Sequence, residues 1–341
     1  MSAGTGAMAD TEGNSRKAER LAIAESMLNA PPPLDALPAA RVEVLMRSVV
    51  HASRSRPVVR WTVALHSGTG PSSPLAVIGK GYLKGGGEAA WRLLSRLRHV
   101  GFDDPELQVP APFGFDPTRQ LLAQEEAPST TLHSLLDGDP AAAAPDAERA
   151  GRWLARLHAV RGADVPRLAE DFEQVKLAEY AAALAAELPA SAARLDRLTT
   201  GTLDGLSRAD GPRVVTHGDF QPKNIHLDRR RIVVIDFDRA AYAPAARDLG
   251  HFIGQTLTMG ASRHGHLGAA ASWVEAFLRG YAAAGGDPGA VRSAHAYVAR
   301  TFAEVLFYRL VVRPVGSTSF VPEWLDAWEA AVEAALDGER P

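Results

Sequence analysis

At 341 residues the chain exceeds the usual size of one compact core, which predicts two packed lobes or domains. Hydrophobic residues make up 46% and charged residues 23%, a balance that excludes wholesale disorder. A net charge of -3 carries no global nucleic-acid or membrane signature, and the absence of Cys excludes disulfides, thiolate zinc sites and a cysteine nucleophile.

Residues 1–16 are Gly-, Ser- and Ala-rich and read as a loose polar tail; 17–28 reads as a short helix stopped by Pro31, Pro32 and Pro33. The opening MSAGTGAMADTEGNSRKAER has no apolar core of the kind a signal peptide needs, so a cytoplasmic location is expected. No apolar run approaches the roughly 20 residues of a membrane span. Runs rich in Val, Leu and Ile predict strands at 42–50, 58–65 and 75–83, the last two joined by a Ser/Gly/Thr/Pro loop at 67–74. Gly85, Gly86 and Gly87 end the strand pattern, and Trp91, Leu94 and Leu97 give 88–99 a helical spacing. Another short apolar run, 121–124, is closed by Pro128.

Beyond it the pattern turns helical: 132–137, 146–161, 170–187, 191–206, 247–258, 269–284, 288–312 and 322–337. A strand pair at 225–227 and 232–235, around Arg229, Arg230 and Arg231, interrupts it. The predicted fold is α+β with two lobes and a joint near 125–130. Residues 1–40 form the tail and short helix, 41–127 a small strand-rich lobe and 128–341 a larger helical lobe. Charge is uneven along this plan. Residues 41–100 hold ten Arg or Lys against Glu43 and Glu88, a segment suited to a polyanion such as a nucleotide phosphate or to a solvated basic face.

The chemistry concentrates in 214–250. There His217-Gly218-Asp219-Phe220-Gln221-Pro222-Lys223-Asn224 precedes the strand pair, and Asp236-Phe237-Asp238 ends it. The returning strand can bring Asp236 beside Asn224. An amide oxygen and a carboxylate make a hard-oxygen site suited to Mg2+, which keeps waters and takes further ligands from phosphates. Asp219 is then placed to accept the proton of a hydroxyl attacking a γ-phosphate.

HGDFQPKN followed by IDFD and RDLG resembles the aminoglycoside phosphotransferase/choline kinase superfamily, which shares the protein-kinase-like fold. The resemblance implies Asp219 as catalytic base and Asn224 and Asp236 as magnesium ligands, with Asp238 either a second metal contact or a solvated acid. Asp248 and His217 read as braces of the catalytic loop. In the front lobe Lys80, preferred over Lys84 because it lies inside the apolar strand, resembles the lysine that holds the α/β-phosphates. Glu88 resembles its helix partner. Glu125 and Ala127 fall where the adenine-binding hinge is expected, and Ser53 and Ser55 lie in the first turn, within reach of phosphate. There is no G-x-x-x-x-G-K-[ST], which excludes P-loop enzymes.

The implied function is an ATP- and Mg-dependent O-phosphotransferase acting on a hydroxyl of a small molecule. Two alternatives are a kinase for a peptide or protein Ser/Thr hydroxyl working with a partner enzyme, and a nucleotide-binding pseudokinase scaffold. Retention of Lys80, Asp219, Asn224 and Asp236 together argues against the scaffold. Nine acids against seven arginines in 251–341 give no support to a strongly cationic acceptor. Tyr308, Phe320, Trp324 and Trp328 are candidates for pocket walls or for core.

Overall fold

The computed structural model describes residues 4–37, 41–66, 73–209 and 211–337, with side chains from Ser15 onward. Most of the predicted 67–74 loop lies outside the described residues. The chain forms two compact units, one of residues 1–104 and 108–127, the other of 105–107 and 128–341.

The first unit begins with helix α1 (Gly4–Ser26), where the sequence predicts a polar tail through residue 16. Ala24 and Met27 of its C-terminal end enter the core, and propagating a helix from such an anchored end costs far less than nucleating one. Strands β1 (Arg41–His51), β2 (Val58–His66) and β3 (Leu75–Gly81) follow, then helix α2 (Gly87–Leu97); strand β4 (Leu107–Gln108), whose Leu107 belongs to the second unit, lies outside this unit's sheet. Strands β5 (Pro112–Asp116) and β6 (Leu121–Glu125) complete the unit's sheet, antiparallel throughout in the order β1-β2-β3-β6-β5. Strand β5, carried by only five residues, was not predicted.

Strand alternation divides the residues of β2 and β3 between two faces. Val59, Trp61, Val63 and Val77 pack with Ala24 and Met27. The Trp61 ring lies against Gly79, where any Cβ would sit 2.3 Å from it. Lys80 belongs to the opposite face, in register with Val58 on one side and Leu122 on the other.

The second unit contains helices α3 (Ala144–His158), α4 (Phe172–Glu187) and α5 (Ala192–Arg208), then strands β7 (Arg213–Thr216), β8 (Ile225–Leu227), β9 (Ile232–Val234) and β10 (Ala241–Pro244). Helices α6 (Ala246–His264), α7 (Ala271–Ala283), α8 (Pro288–Phe307) and α9 (Val321–Asp337) follow. Each of these helices overlaps a predicted one; the longest prediction, 288–312, divides into α8 and a π-helical turn at Tyr308–Val312. The described helices and sheet together are the α+β class expected.

Two short ladders position the chemistry. Antiparallel pairing of β7 with β10 sets Thr216 opposite Ala241, so the segment leaving β7 meets the chain entering β10, with Gly218 against Arg239. Pairing of β8 with β9 sets Ile225 opposite Val234. Beneath them Trp153, Phe220, Phe252 and Phe277 are fully buried and packed ring on ring, with Trp153–Phe220 at 5.6 Å and Phe252–Phe277 at 3.9 Å. Burial of each contributes roughly 2 kcal/mol and anchors the loop through Phe220.

Candidate active site

The loop from His217 to Asn224 is fixed first by its backbone. Gly218 has φ +80°, and a Cβ there would lie 2.0 Å from the carbonyl oxygen of Arg239, so only glycine fits. Asp248, on the first turn of α6 and wholly buried, accepts hydrogen bonds from His217 N (2.7 Å) and Gly218 N (2.8 Å). His158 Nε2 lies 3.3 Å from the same carboxylate, and its Nδ1 meets Tyr281 Oη at 3.0 Å. Burial alone would raise the Asp248 carboxyl. The hydrogen bond and charge of His158, with His217 and Arg247, outweigh burial and hold it below the usual carboxylate range. His217 is buried between Phe220 and Phe237; its Nε2 donates to Ile235 O (2.9 Å) and its Nδ1 accepts from Asp219 N (3.3 Å). Its bonds are those of a loop brace.

Asp219 is held through its side chain. Oδ1 accepts from Gln221 Nε2 (2.8 Å) and His251 Nε2 (3.0 Å), and Oδ2 from Asn224 Nδ2 (3.3 Å). Burial pushes this carboxyl up, but the hydrogen bond and charge of His251, then Arg239 and His217, bring it down to about 2.

Behind Asp219 a ring of polar contacts returns to its own loop. His251 Nδ1 lies 3.6 Å from Glu304, which Arg300 binds; Arg300 Nε donates to Glu173 (2.8 Å). Glu173 also accepts from Arg247 Nε (2.9 Å), whose Nη1 donates to Gly218 O (3.2 Å). Burial opposes the ionisation of Glu173 and Glu304, and the adjacent arginines override it, holding both below the usual range.

Asn224 Nδ2 also donates to Asp219 O (2.9 Å), which commits the amide nitrogen and leaves Oδ1 as the atom suited to a cation. Asn224 O accepts from Ile235 N (3.0 Å), so the backbone brings Asn224 next to the residue preceding Asp236. Asp236 itself is a non-glycine residue at φ +71°, a conformation that functional sites often retain. Asp238 is exposed on the turn Phe237–Arg239. Among the described residues no three His, Cys, Asp or Glu side chains cluster as a metal cage. An amide oxygen and a carboxylate on adjoining segments fit an ion that completes its shell with phosphate oxygens and water.

The first unit gathers its own predicted residues unevenly. Lys80 Nζ lies 5.5 Å from the centre of the Tyr82 ring, and Arg56 stands over the same ring at 4.5 Å. Ser53 Oγ accepts from Ser55 N (3.4 Å) and Arg56 N (3.2 Å), shaping the β1–β2 turn, and Ser55 O accepts from Leu83 N (3.2 Å). Thus Ser53, Ser55, Arg56 and Lys80 belong to one corner. Glu88 departs from expectation: on the exposed side of α2 it pairs with Arg92 one turn on (2.6 Å), not with Lys80. Lys84 occupies the exposed turn after β3. At the end of β6, Glu125 N donates to Ala111 O (2.8 Å), and Arg60 grips Glu126 through Nε and Nη2 at 2.8–3.0 Å. Half-buried Ala127 ends the unit.

A cavity of about 630 Å³ in the second unit opens beside Asp219. Lys223, Arg263, Tyr308, Arg309 and Trp324 are among its walls. Phe320 packs on Trp324 (4.6 Å), whereas Trp328 is buried and donates to Thr202 Oγ1 (2.9 Å). Sequence reasoning did not find His251, Glu304, Arg300 or Glu173. For His251 a signal existed, three residues after Asp248 and therefore on the same helix face.

Comparisons with known proteins identify the family and the fold. The family described as APH, phosphotransferase enzyme family, matches residues 82–293. No curated protein sequence matches the chain. Among solved structures, a spectinomycin phosphotransferase in complex with ADP and spectinomycin aligns with a TM-score of 0.56 at 14% identity, covering 87% of this chain and 94% of that one. A choline/ethanolamine kinase family protein from Mesorhizobium loti aligns at 0.55 and 16%, covering 94% and 98%. An amicoumacin kinase in complex with AMP-PNP, Ca2+ and its antibiotic aligns at 0.52 and 15%, covering 95% and 96%. The fold is the protein-kinase-like one, and among the described residues no helix is long and apolar enough to cross a membrane. With well over half its length matched, including the whole loop from His217 to Asp248, the chain belongs to the phosphotransferase enzyme family, enzymes that transfer a phosphoryl group to a hydroxyl.

Proposed function

We propose that the protein transfers the γ-phosphoryl group of ATP to a hydroxyl of a small molecule, with Asp219 as the proton acceptor. The observation that carries this reading is the Asp219 carboxylate, held by three side-chain donors at the edge of a cavity of small-molecule size. The solved relatives support the choice of acceptor, being named for spectinomycin, choline/ethanolamine and amicoumacin. Two of them were crystallised with ADP or AMP-PNP, which supports an adenine nucleotide as donor.

Held at about 2, Asp219 is ionised throughout the neutral range and is a weak base. Its task is orientation. It accepts a hydrogen bond from the incoming hydroxyl and takes the proton late, as the oxygen–phosphorus bond forms and the bond to the leaving oxygen breaks. Oδ2, whose contact with Asn224 is the longest of the three, is the oxygen best placed to accept it. Lys80 holds the α- and β-phosphates, and backbone groups of Glu125 and Ala127 receive adenine. Ser53 and Ser55 serve the phosphates through their turn. Asn224 and Asp236 would hold Mg2+, with Asp238 adding a negative charge nearby; when bound, the ion offsets phosphate charge.

The test is turnover against Mg2+ and Mn2+ concentration. Asp236→Ala removes both charge and ligand and should abolish measurable transfer with either ion. Asn224→Ala should be partly rescued by Mn2+, which accepts the same oxygen ligands in looser geometry. Full activity of Asp236→Ala at ordinary Mg2+ would remove the metal site and with it the proposed reaction.

A further inference from the structure

The cavity beside Asp219 is strongly basic. Lys223, Arg239, Arg263, Arg309 and Arg313 line it, against the carboxylates of Asp219 and Glu304. Two of the cations are neutralised, Arg239 by Glu304 (3.6 Å) and Arg263 by Asp137 (3.2 Å). Lys223, Arg309 and Arg313 have no carboxylate partner among the described residues. They also crowd one another. Partial burial, then the charges of Arg263, Arg313 and Arg309, lower the ammonium pKa of Lys223 against the opposing pull of Asp219, and partial burial with Lys223 and Arg263 outweighs Asp137 in lowering the imidazole pKa of His133 on the same wall. Such like-charge repulsion persists in a folded protein only where something relieves it, and a bound anion does so directly.

Arg309 is also pre-set for an anion. It belongs to the π-helical turn Tyr308–Val312, where Arg313 N donates to Tyr308 O (2.8 Å), five residues back. This wider turn puts Tyr308, Arg309 and Arg313 on the cavity wall together. The Arg309 guanidinium lies 4.8 Å from the Phe320 ring centre and 5.3 Å from that of Trp324, and Nη1 donates to Ser262 Oγ (2.7 Å). Its buried Nε has no hydrogen-bond partner. A planar fork fixed in this way suits carboxylate or phosphate oxygens.

We infer that the acceptor is an anionic alcohol, a small molecule carrying a carboxylate or phosphate that Lys223, Arg309 and Arg313 receive while its hydroxyl faces Asp219. The inference rests on the kinase reading for the identity of the reacting hydroxyl, but the charge preference is separable from it. A polycationic acceptor would meet net repulsion here, whereas Tyr308 and Trp324 supply apolar contact for the rest of the molecule.

Matched probes differing in charge test it by calorimetry on the full chain. The carboxylate arm compares D-gluconate with D-glucose and D-glucosamine; the phosphate arm compares glycerol 3-phosphate with glycerol. In at least one arm the anion should bind about tenfold or more tighter than its uncharged or cationic counterpart, the gain of one charge-assisted hydrogen bond. The arm that responds identifies the group. Lys223→Gln and Arg313→Gln, at exposed positions, should each erode the preference, and Arg309→Gln should erode it most. No preference for the anion in either arm, or binding of no anion at about 10 mM, overturns the inference. So does a preference unchanged in all three variants. Metal-dependent ATP binding by the parental protein is measured alongside, with phosphorylation of each probe. Anion preference without ATP binding refutes the kinase reading and leaves the anion site standing, whereas turnover with glucosamine alone refutes the anion site and keeps the kinase.

Discussion

Lys80 and Asp219 are positioned by opposite means. Lys80 takes its place from strand register, with β2 and β6 pairing on either side and the Tyr82 ring alongside. Asp219 takes its place from polar side chains drawn from several segments: Gln221, Asn224 and His251 on its own carboxylate, Asp248 on the backbone before it. A sheet holds a residue through many equivalent, replaceable bonds, whereas a polar network holds it through few bonds that are each costly to lose. Substitutions around Asp219 should therefore be severe and coupled, and those around Lys80 milder and local.

Between these two regions the larger effect is expected for Asp219→Asn. Turnover should fall roughly 10²–10⁴-fold, as for loss of a positioned proton acceptor, with the fold retained in circular dichroism. Parental turnover in this variant would refute the assignment. Asp248→Asn should come next. Its amide nitrogen would face the His217 and Gly218 N–H groups or His158, and a buried mismatch of this kind costs about 3 kcal/mol or more. A urea midpoint unchanged from the parent would show that the loop does not depend on that carboxylate.

Acid should reveal a third difference. The Asp219 carboxyl is lowered from 3.8 to about 2, so its stabilisation is complete above about pH 4 and is lost as pH falls toward 2. The lowered Asp248 adds in the same direction. A loss of about 2 kcal/mol over that window is expected for Asp219, and Asp219→Asn should flatten the stability–pH curve there. The smallest effect separates the two lysines: Lys80→Ala should raise the KM for ATP about tenfold by removing a charge-assisted contact, and Lys84→Ala should leave it within about twofold. Equal effects would move the phosphate contact off β3.

The same contrast governed what could be read from the chain. Asp219, Asn224, Asp236 and Asp248 fall within 30 residues, their spacings are fixed by one loop and two short ladders, and the helices around them have clear periodicity. Glu173, Arg300 and Glu304 were not legible, because no local spacing links residues so far along the chain from the loop. The first half of helix α1 was missed because its composition is that of a tail, while the anchor next to its C-terminal end, Met27 packed with β2 and β3, is a tertiary contact. The Lys80–Glu88 pair failed for a related reason. Short sequence separation placed the two side chains near each other on paper, but Glu88 lies on the exposed flank of α2, within reach of Arg92.

The closed circuit from Asp219 through His251, Glu304, Arg300, Glu173 and Arg247 back to Gly218 also has a bearing on time. The His217 and Gly218 amide hydrogens are bound to a buried carboxylate on a helix that the circuit ties to α4 and α8. Solvent deuterium can reach them only when α6 separates from the loop, an opening whose free energy approaches that of unfolding the whole unit. These two amides should be among the slowest to exchange in the molecule. The loop bearing Asp219 is thus expected to be a stationary part of the molecule, with motion left to exposed groups outside the circuit, Lys223 and the turn bearing Asp238 among them.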